Sequence, residues 1–60
     1  MKDLRARLDK LLTDAEDCDL IAKLATNPQK RALFEKLAAD LRSSARDIEI
    51  VLASQKESGD

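Results

Sequence analysis

The chain has 60 residues, 43% hydrophobic and 38% charged, which allows one small domain burying only about 60% of the surface its unfolded chain exposes, so its core needs a supplement. One cysteine and no histidine exclude an internal disulfide and the usual zinc ligand set, leaving self-association as the supplement. The 11 basic and 12 acidic side chains balance to a net charge of −1 and a single phenylalanine is the only aromatic residue, so a nucleic-acid partner is disfavoured both electrostatically and by the lack of rings for base stacking.

The amino-terminal stretch MKDLRARLDKLL carries charges throughout, and the longest apolar run in the chain is Ile50 to Ala53. Neither is the pattern of a signal peptide or a membrane span, and the expectation is a soluble, cytoplasmic protein with no membrane partner. Helix-favouring Ala, Leu, Lys, Arg, Glu and Asp dominate, and the one glycine is Gly59. That composition predicts long helices.

The first helix is expected from about residue 2 to 25. Its apolar stripe is Leu4, Leu8, Leu11, Ala15, Cys18, Ala22 and Ala25, which keeps an alternating four-three spacing. Thr13-Asp14-Ala15-Glu16 matches a capping box and offers an alternative start for a third helix. The stripe crosses Thr13 without a change of phase, which favours one continuous helix. Cys18, among alanines on the stripe, reads as a small apolar filler, and a catalytic thiol has no histidine in the chain to act as its base. The acids Asp14, Glu16, Asp17 and Asp19 lack the spacing and the glycine of a calcium loop and read as a solvated face. Lys2, Arg5, Arg7 and Lys10 form a looser basic group interrupted by Asp3 and Asp9.

The interruption comes at Thr26-Asn27, a turn over 26–27. Asn27 suits an N-cap, and Pro28 suits the first helical position, where its missing N–H has no partner to lose. Pro28 also holds Asn27 out of helical geometry. The second helix is expected from about 28 to 54, with the stripe Phe34, Ala38, Leu41, Ala45, Ile48 and Leu52, and residues 56–60 are expected to fray.

Folding the two helices back on one another makes residues 1–55 a single all-α antiparallel hairpin. Pairing positions whose numbers sum to 56 sets Leu11 against Ala45, Ala15 against Leu41 and Ala22 against Phe34, large against small. Leu4 then meets Leu52, Leu8 meets Ile48, and Cys18 meets Ala38, a thin layer into which Ile21 or Leu37 of a second subunit would fit. The same register brings Asp19 near Arg42 and Glu35, and Arg5 near Glu49.

Apolar residues also lie outside the seam. Ile21, Leu24, Leu33 and Leu37 share one flank near the turn, with Val51 farther along it, and Leu12 lies on the opposite flank. This surplus predicts dimerisation into a four-helix bundle, a coiled-coil-like assembly, with another protein helix as the other possible occupant. Lys23, Lys30 and Arg31 gather at the turn and form a candidate anion-binding tip at the start of the second helix. No cofactor, metal site, small-molecule substrate or catalytic cleft is indicated, so the functional expectation is a non-enzymatic interaction or regulatory module.

The pattern Cys18, Ala22, Thr26-Asn27-Pro28, Arg31, Leu37-Ala38, Leu41 and Ala45 resembles short bacterial helical-hairpin proteins of the alpha-proteobacterial type, over about half the chain. It departs from them in lacking a tryptophan near Leu41 and Arg42. In length and in its alternation of small and large layers the chain also looks like the Rop family of plasmid RNA-binding proteins. That resemblance implies a dimeric four-helix bundle and, as the alternative function, RNA binding through lysines and arginines across the dimer.

Overall fold

The computed structural model describes residues 2–57, with side chains over 2–54. Two helices, α1 (Lys2–Leu24) and α2 (Pro28–Glu57), pack against each other as an antiparallel hairpin. The result is a rod of 49 × 14 × 12 Å. Its length is that of α2, since 30 residues rising about 1.5 Å each span about 45 Å.

Helix α1 passes through Thr13 without a break. A cap there would satisfy orphan amides worth about 1 kcal/mol, whereas a break would rotate Leu4, Leu8 and Leu11 off the seam. Burial wins. At the other end α1 stops at Leu24, one residue earlier than expected, and the Ala25 amide donates to the Ala22 carbonyl at 3.2 Å in a tightened last turn. Helix α2 runs on to Glu57, past the expected end near residue 54, so Lys56 and Glu57 are helical rather than frayed. The rest of the expected tail, 58–60, lies outside the described residues.

The turn is built as its residue types require. The Asn27 side-chain oxygen accepts from the amides of Gln29 (2.8 Å) and Lys30 (3.1 Å), and the Arg31 amide donates to the Asn27 carbonyl at 3.0 Å. Three first-turn amides of α2 therefore have partners. The Arg31 guanidinium reaches back to the Ala25 carbonyl at 3.0 Å, supplying a donor just beyond the carboxyl end of α1, where cations are favoured.

Among the residues with described side chains, those not exposed are the thirteen seam residues named above together with Asp14 and Asp19. The buried core consists of Ala15, Ala22, Ala25, Ala38 and Ala45 alone. Each of the larger seam residues, Leu4, Leu8, Leu11, Phe34, Leu41, Ile48 and Leu52, is only half-buried. The physical reason is geometric: an alanine methyl sits in the groove between two axes, while a leucine or phenylalanine reaches past it to the edge.

Candidate functional site

An interhelical ion pair tells the two flanks of the rod apart. Arg42 donates to the Asp19 carboxylate across the helices. Each of these residues immediately follows a seam residue, Cys18 on α1 and Leu41 on α2. In an antiparallel pair, residues that follow the seam on both helices share one flank, and residues that precede it share the other. Asp19, Glu35, Lys23 and Arg31 line one groove on the first flank together with Ala22, so this side is charged. Arg5 and Glu49, expected to meet there, form no ion pair among the described residues.

The proposed interface residues are all on the other flank. Ile21, Leu24, Leu33, Leu37 and Val51 each immediately precede a seam residue. They are 39%, 73%, 53%, 38% and 45% exposed respectively, a large share for residues of this size clustered on one side. Four of the five sit near the turn and Val51 sits near the open end. Leu12 stands on the charged flank, and Leu20 and Ile50 face away from the seam. The patch is thus confined to one face, and mostly to one end of it.

The flank is not uniformly apolar. Toward the open end it carries Asp3, Arg7, Lys10, Asp14 and Asp47, and in its middle Asp17 and Asp40. Two of these acids have partners on their own helix: Lys10 approaches Asp14 at 3.5 Å and Lys36 bonds Asp40 at 3.0 Å.

At the turn, the structure brings Lys23 and Arg31 together in the groove just described but leaves Lys30 out of it. The groove carries two carboxylates, and Arg31 is engaged with the Ala25 carbonyl. The register that pairs positions summing to 56 already sets Arg31 opposite Ala25; what it does not show is that the guanidinium turns to the Ala25 carbonyl at the end of α1. The tip is therefore a mixed-charge surface.

The Arg42 hydrogen bond, with the positive charges of Arg42 and Lys23, holds the Asp19 carboxyl below its ordinary value against the opposing effect of desolvation, and the Arg42 guanidinium is correspondingly raised. Cys18 is a half-buried free thiol on the seam. Among the described residues there is no group of three or more Cys, Asp or Glu placed to hold a metal ion, and no helix is long and apolar enough to cross a membrane. Comparison with protein-family models, with curated proteins and with solved structures gave no match to this chain. Among the described residues the geometry offers a charged groove on one flank and a cluster of exposed apolar side chains on the other.

Proposed function

We propose that the chain works as a small non-enzymatic interaction or regulatory module, self-associating through the flank of Ile21, Leu24, Leu33 and Leu37. One observation carries this reading. The chain exposes 4845 Å², whereas a compact monomer of its 6.7 kDa exposes about 3,900 Å², an excess of about 900 Å². A specific protein–protein interface removes about 800 Å² from each partner. The excess is thus the size of one interface, and the half-buried leucines beside the flank are what it would cover.

Sedimentation of the pure chain over a range of concentrations tests this reading. The expected result is twice the chain mass, falling toward one chain mass on dilution. A folded hairpin that stays monomeric at every concentration would overturn self-association and turn the same flank toward a foreign helix. Titration with RNA at low and moderate salt is the companion measurement. Affinity falling steeply with salt would replace the module reading with the nucleic-acid one.

A further inference from the structure

The orientation of the two copies follows from where the flank carries its charges. We propose that the second copy docks side by side with the first, both turns at the same end of the rod, related by a two-fold axis along its length. The proposal rests on the self-association reading above and adds its geometry. In this arrangement each helix lies against the partner's other helix at the same height, so the hairpin's own pairing carries over between subunits.

Three levels can be compared. At the turn end, Leu24 meets the partner's Leu33 and Ile21 meets the partner's Leu37, so the four exposed apolar residues near the turn cover one another. Toward the open end, Lys10, which also approaches Asp14 on its own helix, meets the partner's Asp47, an attractive pair. In the middle, Asp17 faces the partner's Asp40, an unfavourable contact made twice by the symmetry, and the carboxylate of Asp40 is already bonded by Lys36; Arg7 against the partner's Val51 is the other mismatch.

The alternative closed arrangement overlaps the full rods with the turns at opposite ends. The symmetry then sets Asp17 and Asp40 each against its own copy, and like charges placed opposite one another are destabilising. It also leaves Leu24 against the partner's Lys10 and Leu33 against the partner's Asp47. Isologous interfaces need a surface that matches itself, and this flank does so only when its two ends are not exchanged.

Paired spin labels decide the matter in the full chain carrying Cys18→Ala, which keeps the seam residue small. With Thr26→Cys labelled in the exposed turn, side-by-side docking places the two labels within about 20 Å, two interhelical spacings. Turns at opposite ends place them at least about 35 Å apart, the length of α1. A second label at Lys2→Cys excludes a staggered dimer: it reads about 30 Å side by side, but beyond about 50 Å when only the turn-proximal halves overlap. Short distances at both sites are the expected result. A dimer by sedimentation with a long distance at either site overturns the orientation alone, and a monomer overturns both the orientation and the self-association beneath it.

Discussion

Asn27 closes the start of α2 by accepting from the amides of Gln29 and Lys30, and replacing it leaves both donors to water. Asn27→Ala is expected to lower hairpin stability by about 1 kcal/mol, and Asn27→Asp to retain most of it, measured as shifts in the urea midpoint at fixed protein concentration. Asp19 makes a second prediction at this scale. Its carboxyl is held below the ordinary value of 3.8, chiefly by the Arg42 hydrogen bond. Such a group contributes stability above its unfolded value and loses it as pH falls through its lower folded value. The wild-type chain is therefore expected to exceed Asp19→Asn in stability near neutral pH and to converge with it in strong acid, as read from thermal midpoints across that range. A difference that persists unchanged into acid would show that the substitution harms the hairpin by another route. Because both partners lie at the surface, the gap is expected to be small.

The elements owe their faces to spacing. An alternating four-three pattern keeps a stripe on one side of a helix, and both stripes in this chain end up as the seam. Alanine at Ala15, Ala22, Ala38 and Ala45 lets the axes come close, and these methyls are 0–3% exposed. Added bulk at such a place has nowhere to go. Ala15→Leu is expected to cost about 1–3 kcal/mol by forcing α1 away from α2, visible in the urea midpoint. The same crowding explains why Thr13 does not break α1. A capping signal is local and modest, and it competes with seam residues that act together on both sides of it.

For the whole molecule, the decisive quantity is the surface a single rod leaves uncovered. On the self-association proposed above, a charge placed on the apolar flank is expected to separate subunits while leaving each hairpin folded, because Leu37 is 38% exposed and lies outside the seam. Leu37→Glu should raise the dimer dissociation constant about tenfold or more, read by sedimentation, with helicity retained in circular dichroism at concentrations where both chains are monomeric. Leu12→Glu is the control, since Leu12 is similarly exposed at 39% but sits on the flank of the Asp19–Arg42 ion pair. Equal weakening by both changes would assign the interface to neither flank.

Much of this architecture is a local property and so was legible in the residues themselves. Two helices, the turn at Thr26-Asn27, the thirteen seam positions and the approach of Asp19 to Arg42 all follow from helical spacing, capping chemistry and one fold-back. Other features exist only once the helices touch. Which side chains are covered depends on the distance between two axes, which is why alanines are buried and leucines are not. The register sets Arg31 opposite Ala25, but the bond to its carbonyl depends on how the two helix ends meet, and no glycine or proline interrupts 54–57, where the end of α2 was expected. The uncovered area could be measured only on the folded rod, because exposure belongs to neighbours in space and periodicity belongs to neighbours along the chain.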